Sequence, residues 1–127
     1  MPTSVLLSIR PQYAAAILDG TKKYEFRRTR FRNPDANRVV LYASSPVCRV
    51  VGEFEVDYIL ALEPDKLWTA TADGAGIDRE AFEDYFRDLD RGFALKVKHP
   101  RRYGDPLRLD VHFGLARPPQ SFQYISA

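Results

Sequence analysis

The chain has 127 residues and a formal net charge of +2, and 45% of its residues are hydrophobic. These values predict one folded domain spanning residues 1–127, and they exclude a polycation or a largely disordered chain. The single cysteine excludes an internal disulfide and a zinc site made of several thiolates, and no apolar run approaches the roughly 20 residues of a membrane span. We therefore predict a cytoplasmic protein with no membrane association, no cofactor and no metal.

The first elements along the chain are a buried strand, a helix and a charged strand. Residues 5–9 are apolar and predict the buried strand, and the next segment predicts a helix that begins at Pro11 and ends before Gly20. Residues 22–31 then alternate charged and aromatic side chains, which is typical of a half-buried strand. Its charged face would hold Lys23, Glu25 and Arg27, with Lys22 at the entering turn, and its core face would hold Tyr24 and Phe26.

The rest of the chain predicts four more strands and two more helices. The strands are expected at residues 38–43, 49–59, 93–98 and 107–113, and the helices at residues 64–71 and 79–89. Asp78 is a suitable N-cap for the second of these helices. The basic residues 100–106, bounded by prolines, predict a loop, and residues 116–127 predict a tail that packs on the body. Alternating acids at residues 53–57 predict a solvated strand face, and Cys48 is predicted to be buried.

Five or six strands and about three short helices follow one another without regular alternation. That order argues against a doubly wound sheet built from βαβ units. A glycine within residues 49–59 adds a bend of the kind that small barrels need. The sequence therefore predicts the α+β class, as a small mixed-strand β-barrel with two or three short helices.

The most basic stretch is the candidate ligand-binding surface. Six of the eleven residues from 22 to 32 are lysine or arginine, and only Glu25 is acidic. Single-stranded RNA is recognised by cations along its backbone and by aromatic rings on which its bases stack, and this stretch supplies both. The alternative is an exposed strand edge on which cations only prevent aggregation. Glu25 would either accept hydrogen bonds from a base edge or form a plain cross-strand ion pair.

Three further residues are candidates for ligand binding. Arg10 precedes the first helix and would direct its guanidinium at a phosphate, or it is an ordinary surface arginine. Ser44 and Ser45 end a predicted strand, where they would offer hydroxyl groups to a ligand or cap the turn before Pro46.

The segment GTKKYEFR fits the pattern GxKxxExR, and it follows the segment SIRPQYAAAIL. Together with the later segments YASSPV, VGEFEV, GFALKVK and PPQSFQYI, it resembles the ASCH domain (activating signal cointegrator homology) of the PUA-like superfamily. The resemblance covers nearly the whole chain. It implies a PUA-like barrel, and it implies that Lys22, Glu25 and Arg27 line a ligand cleft between the first helix and the barrel.

The leading hypothesis is an RNA-binding domain that recognises a nucleotide or a modified base in this basic cleft. The pocket would be formed by Lys22, Tyr24, Glu25, Arg27 and Ser44. RNA or a nucleotide is therefore the expected partner. A different possibility is a transcription-related interaction module, because ASCH domains are also linked to coactivation, and the acidic helix at residues 79–89 would then be its partner surface.

The resemblance also implies two enzymatic alternatives, an amidohydrolase acting on N4-acetylcytidine and a ribonuclease. In an enzyme, Lys22 and Glu25 would be the catalytic residues. However, Glu25 occupies the position of the amidohydrolase's threonine, and the segment around residues 73–78 has no certain counterpart of its glutamate. The sequence alone leaves open whether the chain is an enzyme.

Overall fold

The computed structural model describes residues 3–126, which form one mixed sheet of six strands with four short helices and a 3₁₀ turn. The strands are β1 (Thr3–Ile9), β2 (Tyr24–Arg27), β3 (Arg38–Ala43), β4 (Arg49–Leu62), β5 (Gly92–Leu107) and β6 (Phe122–Ser126). The helices are α1 (Pro11–Asp19), α2 (Pro64–Thr71), α3 (Arg79–Tyr85) and α4 (Leu109–Phe113), and the 3₁₀ turn is Ala72–Gly74. None of the helices in this range has the length and apolar character needed to cross a membrane.

The strand order in the sheet is β2, β5, β4, β3, β1, β6. β1 and β3 are parallel, with Val5 opposite Val39, and the other neighbouring strands are antiparallel. The ladder between β4 and β5 shifts its register at three places between Val50 and Ile59. Irregularities of this kind bend the strands and increase their twist, so the sheet curls.

Side chains join the two edges of the curled sheet. The Tyr124 hydroxyl of β6 accepts hydrogen bonds from the backbone N–H groups of Arg32 and Asn33, at 3.0 and 3.1 Å, a short distance beyond β2. The rings of Phe31 and Phe122 pack edge to face with their centroids 4.8 Å apart. In the described part of the chain no backbone ladder joins β2 to β6. The predicted α+β class is confirmed, and the curled sheet is consistent with a small barrel whose last gap is closed by side chains.

Apolar residues pack on both faces of the sheet. One cluster lies between the sheet and α1, where Ile17 of the helix is fully buried together with Val39 and Leu41 of β3. Burying one such side chain contributes about 2 kcal/mol. A second cluster packs α2 and α3 against β2 and β5 through Phe26 and Phe82, whose rings meet edge to face at 5.1 Å. These two clusters fix the positions of α1 and α3 relative to β2.

Several predicted elements are confirmed with their bounds. α1, α2 and β3 span the residues expected from the sequence, while β4 continues to Leu62 instead of ending at residue 59. Gly20 ends α1 in the left-handed conformation, with φ 91°. The Asp78 side chain caps α3 by accepting a hydrogen bond from the Ala81 N–H at 2.8 Å. These features were predictable because their stabilising contacts lie within a few residues in sequence.

Two predictions in the C-terminal half are wrong. Residues 100–106 were predicted as a loop but continue β5, and residues 107–113 were predicted as a strand but contain α4. β5 continues because its backbone pairs with β4, with Arg102 opposite Gly52, and this tertiary pairing outweighs the flanking prolines. α4 forms because one turn of helix buries Leu109 while it leaves Val111 65% exposed.

Three further features of the structure differ from the sequence predictions in smaller ways. Cys48 is exposed rather than buried, because it lies in the turn between β3 and β4 with φ 51°. The strand predicted for residues 22–31 is shorter, since β2 ends at Arg27. The tail predicted for residues 116–127 contains β6, which pairs antiparallel with β1, and the last residue of that tail lies outside the described residues.

Glu53 on β4 differs from the solvated face predicted for residues 53–57. Its side chain is 15% exposed, and its carboxylate accepts hydrogen bonds from Arg38 at 2.7 and 2.9 Å. Arg101 donates to it at 3.0 Å, and the Tyr103 hydroxyl donates at 2.8 Å. The hydrogen bonds from Arg38 are the main reason that the pKa of Glu53 falls to about 2. This network ties β3, β4 and β5 together.

We expect Glu53→Gln to lower the free energy of unfolding by about 2 kcal/mol near neutral pH, because it removes charge-assisted hydrogen bonds. The pKa of Glu53 in the folded state lies below its ordinary value of 4.5. The stabilisation is therefore complete above about pH 4.5 and is lost as the pH falls towards 2. Urea unfolding at neutral and acidic pH measures both effects. Glu55→Gln, at a carboxylate that is 50% exposed on the same strand, is the matched control, and an equal loss there would contradict the prediction.

Candidate functional site

A pocket of about 460 Å³ opens between the start of α1, the strand β2 and the helix α3. This volume lies within the range of pockets that hold small ligands. Its walls carry four cations and two carboxylates. The lining residues are Ser8, Ile9, Arg10, Tyr13, Lys22, Glu25, Phe26, Arg27, Arg28, Ile77, Ala81, Asp84 and Tyr85.

Lys22 lines this pocket although only 2% of its surface is exposed. Its Nζ donates a hydrogen bond to the Ala75 carbonyl at 2.6 Å and lies 5.3 and 4.9 Å from the ring centres of Tyr13 and Phe26. Burial lowers the pKa of Lys22 to about 8, and the nearby charge of Glu25 acts in the opposite direction. About a tenth of this amine is therefore neutral at pH 7. Lys22 can accept as well as donate a proton under physiological conditions.

Glu25 is buried, which corrects the prediction that it shares an exposed strand face with Lys23 and Arg27. Only 6% of its surface is exposed, and its carboxylate lies in the pocket wall near Lys22 and Arg27. Burial raises the pKa of Glu25, while the charges of Lys22 and Arg27 act to lower it. Arg27 Nη1 lies 3.5 Å from the carboxylate. The ion pair is thus largely shielded from water. Removing either side chain would leave the other charge buried without a partner.

The guanidinium of Arg27 also links β2 to the segment that precedes β6. It donates to the Ser121 hydroxyl in addition to Glu25. Ser8 of β1 binds the same segment, with its hydroxyl donating to the Pro119 carbonyl at 2.6 Å and its N–H donating to the Ser121 carbonyl at 3.0 Å. Ser8 and Ser121 could not be predicted from the sequence, because their contacts join residues about 100 positions apart and have no local signal.

The two other arginines of the pocket lie near its mouth. Arg10 is exposed at the N-cap of α1, and its backbone carbonyl accepts hydrogen bonds from the first turn of that helix. Arg28 donates from Nε to the Tyr85 carbonyl at 2.9 Å, and its guanidinium lies 4.3 Å from the centre of the Tyr85 ring. The neighbouring Asp84 is paired with Arg87. The contribution of α3 to the pocket was not predicted, because its aromatic spacing indicated only a core-facing helix.

Three residues that were predicted to bind the ligand do not line this pocket. The Tyr24 hydroxyl lies 3.3 Å from the Tyr58 hydroxyl, and this hydrogen bond is the main reason that the pKa of Tyr24 rises to about 12. Ser44 and Ser45 lie in the turn between β3 and β4, where the Ser44 N–H donates to the Ile9 carbonyl at 2.9 Å. Their predicted roles stay predictions, and any ligand that they contact must extend beyond the pocket.

Metal ligands do not gather in the part of the chain that the structure describes. Histidine, cysteine and carboxylate side chains there form no group of three that could hold a metal ion. His99 is exposed and lies 2.8 Å from the Glu55 carboxylate. The walls of the pocket carry more cations than carboxylates.

One protein family and several known proteins match most of this chain. The ASCH domain matches residues 7–101. The "ASCH domain-containing ribonuclease" of Zymomonas mobilis is 29% identical over 125 residues, which are 94% of this chain and 82% of that protein. The large ribosomal subunit protein uL22 of Ureaplasma parvum is 26% identical over 123 residues, which are 96% of this chain, so the chain spans only 39% of that protein's length.

A solved structure gives the same result at the level of the fold. The crystal structure of ASCH from Zymomonas mobilis has a TM-score of 0.88 to this chain at 27% identity, and the match covers 97% of this chain and 87% of that one. The family match includes the end of β1, all of α1 and β2, and every residue that lines the pocket. The chain belongs to the ASCH domain family.

Proposed function

We propose that the chain binds single-stranded RNA in this pocket and cleaves it, with Lys22 as the residue that transfers the proton. The observation that carries the proposal is a nearly buried amine with a pKa of about 8, placed in one pocket with three arginines. Arginine pairs with phosphate, and an amine of this pKa exchanges protons near neutral pH. The name of the Zymomonas mobilis relative, a ribonuclease, supports the same function.

The pocket suggests a cleavage in which the RNA supplies its own nucleophile. The neutral form of Lys22 accepts the proton of a ribose 2′-hydroxyl, and the 2′ oxygen attacks the adjacent phosphorus. Arg10 and Arg27 face the negative charge that grows on the phosphate oxygens. The bond from phosphorus to the 5′ oxygen breaks, that oxygen takes a proton from solvent water, and Lys22 releases its proton to the solvent. The products are a 2′,3′-cyclic phosphate and a 5′-hydroxyl end, so no further reactant is needed.

Incubation with a labelled single-stranded RNA tests this proposal. The rate of cleavage should rise about tenfold per pH unit below about pH 8 and level off above it, because only the neutral amine accepts the proton. The same oligonucleotide with a 2′-deoxy nucleotide at the cleaved position should bind and stay intact. RNA that stays intact at every pH, or cleavage that persists without the 2′-hydroxyl, would contradict the mechanism.

Arg10→Ala should weaken RNA binding and reduce its dependence on salt. If the guanidinium contacts one phosphate, the slope of log K against log salt concentration should fall by about one. Binding measured by fluorescence anisotropy between low and physiological salt gives this slope. Arg79→Ala is the matched control, because Arg79 is an exposed arginine of α3 outside the pocket. An unchanged slope for Arg10→Ala would place the RNA elsewhere.

The volume of the pocket also favours a second candidate, the predicted amidohydrolase that acts on N4-acetylcytidine. A pocket of about 460 Å³ can enclose one modified nucleoside, and a partly neutral lysine can attack the acyl carbon or deprotonate the water that attacks it, so that the cytosine amine leaves. Incubation with N4-acetylcytidine and chromatography of the products discriminates the two reactions. Release of cytidine without cleavage of RNA would favour this candidate. The interaction module stays a prediction that no feature of the pocket favours.

A further inference from the structure

The residues Gly74, Ala75 and Gly76, here called the 74–76 segment, lie directly over Lys22. The Ala75 carbonyl accepts the hydrogen bond from Lys22 Nζ at 2.6 Å, and this is the one hydrogen bond of that amine within residues 3–126. The preceding carbonyl, of Gly74, accepts from the Lys23 N–H at 2.8 Å. Two consecutive backbone carbonyls of this segment therefore bind two consecutive lysines.

The glycines are needed because the backbone comes so close. A Cβ atom on Gly76 would lie 2.5 Å from Lys22 Cβ and closer still to Lys22 Cγ, and Gly76 has φ +69°. A Cβ atom on Gly74 would lie 2.9 Å from Lys23 Cβ. Real Cβ atoms do not approach other carbons this closely, so any side chain at these positions would push the segment away from the lysines.

We propose that the 74–76 segment is a positioning element for Lys22, which holds the amine in one orientation towards the pocket. The inference rests on the proposed function, in which Lys22 transfers the proton. A free lysine side chain loses rotamer entropy when it is fixed, and the segment fixes it before any substrate binds. A neutral amine that donates one N–H to Ala75 keeps its lone pair free, and the pocket is the open space that this lone pair can reach.

The position of the amine also controls its protonation. The charged and titratable groups that share the pocket with Lys22 are Arg10 and Tyr13 at the start of α1, Glu25 and Arg27 from β2, Arg28 directly after β2, and Asp84 and Tyr85 from α3. Burial outweighs their influence and lowers the pKa of the amine. If the segment moves away, water reaches Lys22, and its pKa should rise towards the ordinary value of 10.5.

The experiment compares Gly76→Ala with Gly114→Ala. Both glycines have positive φ, +69° and +65°, but a Cβ atom at Gly114 meets nothing within 4 Å, so the control reproduces the backbone strain without the contact to lysine. Titration of the Lys22 side-chain carbons by NMR should show a midpoint at least about one pH unit higher in Gly76→Ala, and no change in Gly114→Ala. The pH profile of RNA cleavage should move in the same direction by the same amount. A folded Gly76→Ala protein with the wild-type midpoint would overturn the proposal.

A measurement on the wild-type protein decides the question if Gly76→Ala does not fold. The ¹³C resonance of the Ala75 carbonyl should titrate with the same midpoint as Lys22, because the hydrogen bond weakens when the amine loses its charge. A carbonyl resonance that stays constant through that midpoint would overturn the inference. This titration needs no RNA, so its result is separate from the question of whether the protein cleaves RNA.

Discussion

Lys22→Met is expected to abolish RNA cleavage and at the same time to make the protein more stable at neutral pH. Loss of a proton-transferring group typically lowers a rate by a factor of about 10² to 10⁴. The pKa of Lys22 falls from 10.5 to about 8 on folding, which corresponds to a burial penalty of about 3 kcal/mol. Methionine loses the cation–π contacts of Lys22 Nζ with the Tyr13 and Phe26 rings and leaves the Ala75 carbonyl without its donor, at a combined cost of about 1 to 2 kcal/mol. A net gain of about 1 to 2 kcal/mol should remain.

The pH dependence of stability checks the cause of this gain. A lysine with a lowered pKa in the folded state carries its full penalty below about pH 8, and the penalty disappears as the pH rises towards 10.5. The advantage of Lys22→Met in urea unfolding should therefore shrink between these two values. Lys23→Met is the matched control, because Lys23 is the exposed neighbour outside the pocket. A Lys22→Met protein that cleaves RNA at the wild-type rate would rule out Lys22 as the proton-transferring residue.

Arg27→Met should have the largest effect on stability, a loss of about 3 kcal/mol near neutral pH, because it leaves the Glu25 carboxylate buried without its partner. The pKa of Glu25 is already raised by burial, and removal of the Arg27 charge raises it further. A carboxyl group with a raised pKa in the folded state loses stability as the pH rises through the window between its unfolded and folded values. The loss in Arg27→Met should therefore be smaller in acid than at pH 8, as urea unfolding at both values will show.

A double-mutant cycle separates this ion pair from the other contacts of Arg27. Glu25→Gln in the Arg27→Met background removes the buried, unpaired charge of the carboxylate. The double variant should therefore recover much of the lost stability. The hydrogen bond from Arg27 to Ser121 is absent from both variants and cancels in the comparison. If the effects of the two substitutions on the free energy of unfolding are simply additive, Glu25 and Arg27 are not coupled and do not form a stabilising buried ion pair.

The chemistry of the pocket was partly visible in the sequence. Lys22, Glu25 and Arg27 lie within six consecutive positions, and Arg10 precedes the helix that leads to them, so the short connection at Gly20 keeps all four close in space. The structure brings these four into one pocket. The sequence did not show that Tyr24, Ser44 and Ser45 lie outside this pocket. For Tyr24, the alternation on a short edge strand does not show which face another element will cover.

Burial at the pocket could not be predicted. The alternation of residues 23–27 predicted that Glu25 lies on the charged face of a half-buried strand, yet its side chain is buried in a pocket whose walls also come from residues about 50 positions later in the chain. Ala75 and the glycines beside it carried no signal of their own, since their importance comes only from the lysines that they touch. The pairing of β4 with residues 100–106 could not be predicted either. Hydrogen bonding to a neighbouring strand outweighed the local preference of these residues for a turn.

The sequence by itself determined the elements whose stabilising contacts are local, namely α1, which ends at Gly20, and the capped start of α3. It also located the basic stretch that begins at Lys22. The tertiary structure alone decided which charges lose contact with water. Desolvation depends on elements far apart in the chain that pack over the same side chain, and it converts an ordinary lysine into a group that can exchange a proton near neutral pH.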